Sequence, residues 1–186
     1  MSGIESPAHL GVEGKPIGEV SRGLFWYALQ TRPRHEKKVA CLLKTRQVEA
    51  FLPLLPCLRQ WCDRRRRVEL PLFAGYVFVR LSCDRLDRLR VLQTPGALSL
   101  VAAGGQPLSI PDQQIEDVRR ALDHEVPCWP HPFLRTGRRV RIRGGCLDGV
   151  EGLLLGANGN RSVLISIEPI SQSLKISIEG YDVEPL

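Results

Sequence analysis

No Cys-x-x-Cys pair occurs in this chain. Its six cysteines, Cys41, Cys57, Cys62, Cys83, Cys128 and Cys146, are scattered, and no histidine stands near them at zinc-finger spacing. Neither a metal nor any other cofactor is expected, and the thiols read as free in a reducing cytoplasm. No apolar stretch approaches the roughly 20 residues that a membrane span requires, and the N-terminus has no charged segment leading into an apolar one. A membrane partner and a secretion signal are therefore not expected. No glycine-rich loop precedes a helix in the manner of a nucleotide site. No nucleophile stands with an oriented base: His35 and Cys41 could meet, yet nothing nearby would orient the histidine, so a cysteine hydrolase is set aside. The chain does not read as an enzyme, and no residue is assigned a catalytic role.

What the chain does carry is positive charge, since 26 lysines and arginines against 20 acids leave a net +6. Basic faces gain affinity for polyanions by releasing counterions, which favours a nucleic-acid partner without proving one. With 186 residues, one domain or two small ones are possible, so pattern must decide.

Residues 1–23 are rich in Gly, Pro, Ser and Glu without apolar periodicity and read as a disordered leader that cannot repay its ordering entropy. FWYALQT (Phe25–Thr31) reads as a buried strand that ends at Arg32-Pro33. Residues 35–47 have helical spacing, with Val39, Leu42 and Leu43 on one side and Lys37, Lys38 and Lys44 outside. Residues 50–54 suggest a second strand, and residues 58–69 a hairpin whose tip is the run Arg64, Arg65, Arg66, Arg67, which belongs in solvent because like charges repel. Residues 70–81 read as one strand with two usable faces, Tyr76, Phe78 and Arg80 on one and Val77, Val79 and Leu81 on the other.

A short helix is expected over residues 84–92 with Asp84 as N-cap, then a Thr94-Pro95-Gly96 turn into a strand over 97–102. Residues 112–124 form an amphipathic helix with Ile115, Val118, Ala121 and Leu122 inward. After the proline-stiffened segment VPCWPHP, the stretch GRRVRIRGGCLDGVEGLLL reads as a basic strand, a glycine-rich turn and an apolar strand of a small β-barrel. Gly144, Gly145, Gly149 and Gly152 are there for positive φ or for close strand contact, neither of which admits a Cβ. The expected organisation is a leader (1–23), an α/β domain (24–124), a linker (125–134) and a barrel (135–186).

Several segments together resemble the NusG-type transcription elongation factors, including specialised paralogues such as RfaH and the antiterminators of polysaccharide operons. They are WYALQTRPRHEKKVA, AFLPL, PLFAGYVFV, TPGALSLV, IPDQQIEDVRRAL and the barrel motif called KOW, in the family's order. The resemblance implies an α+β chain: an N-terminal α/β sandwich with an antiparallel sheet and flanking helices, then a five-stranded SH3-like barrel. It also implies a monomeric, cytoplasmic accessory factor of RNA polymerase with no chemistry of its own. The rival reading is a ribosome-associated RNA-binding protein, since KOW barrels occur there too; the N-terminal segments argue against it.

The resemblance also implies sites. Phe73, Tyr76 and Phe78, with Val101, would line an apolar concavity for the paired clamp helices of the largest polymerase subunit. Arg32, Arg34, His35, Lys37 and Lys38 would meet the exposed non-template DNA strand, and Arg64, Arg65, Arg66 and Arg67 would add charge without reading sequence. Residues 87–90 do not reproduce the His-Thr-Thr pattern of RfaH, which leaves that paralogue's second polymerase contact unsupported here. On the barrel, Ile165, Ile167 and Ile170 would face a partner such as a small-subunit ribosomal protein. Glu168-Pro169-Ile170 replaces the Phe-Gly-Arg loop, which disfavours Rho, and Pro169 with the β-branched run before it implies a barrel that stays a barrel.

Overall fold

The computed structural model describes residues 23–61, 64–82, 84–132, 134, 137–156 and 161–186, with the side chains of 58–61 and 64–66 left aside. The expected leader therefore lies outside the described residues, except for Gly23.

β1 (Phe25–Thr31) takes the expected bounds and runs through the middle of an antiparallel sheet. α1 (Glu36–Thr45), β2 (Glu49–Phe51), β3 (Leu54–Trp61), β4 (Arg64–Pro71) and β5 (Tyr76–Leu81) follow, then α2 (Arg85–Leu92), β6 (Ala97–Leu100), β7 (Ala102–Ala103), β8 (Gln106–Pro107), β9 (Ser109–Ile110) and α3 (Asp112–Asp123). The sheet order is β2-β5-β1-β6, with β9 also pairing β1, while β3 and β4 form a separate two-stranded ribbon.

Period-two alternation along β1 and β5 sends side chains to two different cores. Tyr27, Leu29, Val77, Val79 and Leu81 meet Val39, Ala40 and Leu43 of α1 and Val91 of α2. Trp26, Ala28 and Phe78 meet Ile115, Val118 and Ala121 of α3 on the opposite face. Both faces are covered, so the strands are apolar on both sides. The Asp84 carboxylate accepts the Asp87 N–H at 2.8 Å and caps α2 as the sequence implies.

The single strand expected over 70–81 is instead two. β4 ends at Pro71, and the chain turns through Gly75 at φ +83° before β5 begins. The turn is held by the buried Glu36, whose carboxylate accepts the Gly75 N–H at 2.8 Å.

The C-terminal half is a six-stranded antiparallel sheet in the order β10-β14-β13-β12-β11-β15. Its strands are β10 (Cys128–Pro132), β11 (Arg138–Arg143), β12 (Glu151–Leu155), β13 (Ser162–Ile167), β14 (Gln172–Ser177) and β15 (Asp182–Pro185). β11 to β15 supply the five strands of the SH3-like barrel, and β10 is an addition: the segment read as linker pairs with β14 from Cys128↔Ile176 to Pro132↔Gln172. Prolines are tolerated there because β10 is an edge, where a missing N–H can face solvent. The glycine reading holds, with positive φ at Gly144, Gly145 and Gly149 and a close backbone approach at Gly152.

The two halves share a core. α3 packs on β1 with one side and on β13 and the turn Gly145–Leu147 with the other, so Ile115 and Val118 lie in one apolar cluster with Val140, Ile142, Val163 and Ile165. Polar links fix the register: Arg120 donates to the Asp148 carbonyl at 2.6 Å, and Asp117 accepts from Gln113 Nε2 at 2.7 Å and from the Glu151 N–H at 3.4 Å. Burial pushes the Asp117 carboxyl up to about 6 from the ordinary 3.8, against the opposing pull of those hydrogen bonds. The folded chain thus holds this proton more tightly than the unfolded chain. The resulting penalty is absent below the ordinary range, grows as pH rises from there, and is complete above about 6. Asp117→Asn is expected to raise the unfolding midpoint at about pH 8 and to leave it nearly unchanged at about pH 4. An equal loss of stability at both pH values in thermal scans contradicts this.

Candidate functional site

A groove of about 1580 Å³ opens where the β3–β4 ribbon, the start of α1, and the end of α3 with the chain after it converge. Its apolar lining includes the half-buried Leu55, Leu70, Leu122 and Val126. Leu55 and Leu70 face each other on one hairpin, and the fold brings Leu122 and Val126 to them from far along the chain. Arg34, Lys37 and Arg67 stand along one rim, exposed, with Lys37 paired to Glu69 at 3.6 Å. The result is an open trough with apolar walls and an edge of both signs, where Arg34, Lys37 and Arg67 stand with the exposed Glu69 and Glu125, a shape suited to an amphipathic helical partner rather than to a small molecule.

The aromatic residues picked from the sequence sit beneath this surface rather than on it. Phe73 and Phe78 are 1% and 0% exposed, and their rings meet edge to face at 5.7 Å. The expectation that they present a docking face is corrected: both rings lie inside the apolar cluster that also holds Trp26, Ile115 and Val118. Tyr76 and Val101 remain half-buried at the edge of the same cluster. As a binding surface the groove residues Leu55, Leu70, Leu122 and Val126 escaped the sequence reading, which placed Leu122 on the inward side of its helix; the signals were apolar residues on a ribbon that also carries the arginine run and at the end of that helix.

Arg32, Arg34, Lys37 and Lys38 are exposed around the entry to α1, and Arg34 takes a positive φ of 64°. His35 is half-buried; its ring Nδ1 donates to the Pro33 carbonyl at 3.0 Å. The same histidine packs against Gly96, whose φ is +101° and whose carbonyl accepts the Arg32 N–H at 2.8 Å. One imidazole edge is thereby fixed and the basic loop is tied to the Thr94-Pro95-Gly96 turn. Arg67 is exposed on β4; the backbone of Arg64, Arg65 and Arg66 lies along the same strand rather than in a loop, and their side chains lie outside the described set.

On the barrel, Ile165, Ile167 and Ile170 are all buried, which corrects their expected role as a surface. β13 is an inner strand of the sheet, and α3 packs against it. The four arginines of β11 are partly offset by two acids: Arg139 and Arg141 share Glu151 at 3.8 and 2.5 Å, and Arg143 pairs with Glu184 at 2.5 Å. Among the described residues no three His, Cys, Asp or Glu side chains gather as a metal site, and no helix is long and apolar enough to cross a membrane.

The family described as "Transcription termination factor nusG" matches residues 24–119, which span β1 to α3. The chain belongs to the NusG family. The transcription termination/antitermination protein NusG of Borreliella burgdorferi is 22% identical over 183 residues, covering 87% of this chain and 98% of its own length. That of Lactococcus lactis subsp. lactis is 23% identical over 180 residues, covering 87% of this chain and 92% of its own. Among solved structures, Thermotoga maritima NusG is 19% identical and covers 83% of this chain and 93% of its own, at a TM-score of 0.48. NusG relatives are transcription factors, and nothing in the described residues of this NusG-family chain assembles a catalytic centre.

Proposed function

We propose that this chain is a transcription elongation and antitermination factor that grips the clamp helices of the largest RNA polymerase subunit in the groove between the β3–β4 ribbon and α3, and promotes processive elongation of particular operons. The observation that carries the reading is the trough itself, apolar along Leu55, Leu70, Leu122 and Val126 and edged by Arg34, Lys37 and Arg67. Leucines on both walls would take the apolar stripes of a helix pair, and Arg34 and Arg67 at the edge would pair with acids beside those stripes. Arg32, Arg34, Lys37 and Lys38 extend the same rim toward exposed non-template DNA. Binding one polymerase conformer better than another shifts the population toward it, which is how a factor without chemistry suppresses pausing.

A specialised, RfaH-like role is supported by the barrel. Glu168-Pro169-Ile170 forms a short turn with Ile170 buried and lies beside β9, an arrangement unlike a loop that would engage Rho. A small-subunit ribosomal protein remains the barrel partner that this reading carries forward. The rival ribosome-associated RNA-binding reading has less support, because the family match lies in the N-terminal part of the chain, residues 24–119, rather than in the barrel alone.

Leu55→Glu and Leu122→Glu place a charge in the trough at half-buried positions. Each is expected to weaken binding to RNA polymerase core by about tenfold or more, with the far-ultraviolet circular dichroism unchanged. Wild-type affinity in both folded variants removes the groove from the account.

A further inference from the structure

A second cleft, of about 900 Å³, opens between the first half of α3 and the barrel strands β11, β12 and β13. It shares no lining residue with the groove between the β3–β4 ribbon and α3. Its size suits a small molecule, and it lies where the two halves of the chain meet, a common place for such sites. Leu108, Pro111, Leu134, Leu153 and Pro169 give it apolar walls.

Two acceptors on α3 that line this cleft lack adequate partners. Asp117 is 3% exposed, yet it meets only neutral donors, Gln113 Nε2 at 2.7 Å and the Glu151 N–H at 3.4 Å. The Arg120 guanidinium, its cationic neighbour, is turned to the Asp148 carbonyl at 2.6 Å. Burial pushes the Asp117 carboxyl up to about 6 although Arg120 pulls the other way, and the nearby Glu151 carboxylate adds to the rise, so the charge is not offset where it stands. Glu151 itself is already shared by Arg139, which also lines the cleft, and Arg141. One turn before Asp117, Gln114 Oε1 is shut off from solvent and accepts no hydrogen bond. Residues three apart on a helix are neighbours, so a carboxylate and an amide oxygen stand side by side with apolar surface next to them. Their complement is a cation with several N–H donors in a planar fork, carried on a short alkyl stem.

We propose that this cleft is a binding site for a small alkylguanidinium cation, whose planar group donates to Asp117 and Gln114 and whose stem lies against the apolar walls. The ligand would touch α3 and the barrel together and so strengthen the contact between the halves. No polymerase enters the test: the full chain is titrated with n-butylguanidinium in a calorimeter at about pH 8, with hydrogen exchange over 108–114 and 168–171 as the footprint. Saturable one-site binding that slows exchange in both segments is expected. The chain carries a net +6, so it offers no general attraction to a cation, and binding reports a local site. Asp117→Asn and Gln114→Leu should each weaken it about tenfold or more. Each substitution removes an uncompensated buried polar group, so both variants should keep the parent circular dichroism.

Two matched compounds separate charge from donors. n-Butyltrimethylammonium has the stem and the charge without N–H groups, and n-butylurea has the stem and the N–H fork without the charge; both should bind at least about tenfold more weakly. Equal binding by either compound overturns the proposal. So does binding that ignores both substitutions, or protection that falls elsewhere and spares 108–114 and 168–171. If n-butylguanidinium binds only after Arg135→Ala, the occupant is the chain's own guanidinium next to Leu134 in the sequence, and the site for a free ligand is refuted.

Discussion

Phe78→Ala is expected to lower the stability of the entire chain by about 3–5 kcal/mol, a fall of about 10 °C in the unfolding midpoint. The ring is fully buried on β5, edge to face with Phe73 at 5.7 Å and stacked on Phe51 at 6.2 Å. Truncation removes the transfer free energy of the ring and leaves a cavity that two rings and a rigid sheet cannot close. Tyr76→Ala, at the half-buried edge of the same cluster, should cost clearly less. Any loss of polymerase binding in Phe78→Ala therefore reports unfolding before it reports a contact. A scan in which Phe78→Ala melts with wild type, or in which Tyr76→Ala is the worse of the two, contradicts the placement of these side chains.

Gly152→Ala is expected to cost about 3 kcal/mol, at the upper end of what overpacking does, or about 6–12 °C. Gly152 needs no unusual φ; its constraint is space. A Cβ there would land on the Leu164 carbonyl oxygen, 2.5 Å from Val163 Cγ1 and 2.9 Å from the Leu164 carbonyl carbon. Backbone on an inner strand cannot swing aside as a side-chain tip can. β12 must lift from β13, and β13 is the strand that meets α3, so the damage reaches the contact between the halves. Unchanged stability in Gly152→Ala means the two strands are further apart than described.

Both substitutions should move the same transition. Phe78 lies in the N-terminal half and Gly152 in the barrel, yet α3 joins their surroundings through one apolar cluster. A single calorimetric endotherm that shifts with either variant is expected, and two independent endotherms would mean that the halves unfold separately.

Much of the local structure was legible in the sequence because local chemistry decides it. The β1 bounds, the Asp84 cap, the apolar side of α3 and the positive-φ glycines of the barrel turn all follow from side-chain type and spacing. What was not legible depends on partners distant in the chain. Alternation along β5 showed two faces but could not show that α1, α2 and α3 cover both, so Phe78 read as surface. Prolines marked residues 125–134 as a linker, and only the pairing of β10 with β14 makes Cys128–Pro132 within it an edge strand. Asp117 is a polar position on the apolar side of α3, explained by the Glu151 N–H it meets across the domain contact. The groove could not be read in advance, because each of its walls is unremarkable alone.

The most direct test is hydrogen exchange of the full chain with and without RNA polymerase core. The account predicts slowed exchange at 54–56, 67–71 and 119–126, the segments that wall the groove, with the inner barrel strands unchanged. Protection confined to the barrel, or none at the groove in a complex that survives gel filtration, would contradict it.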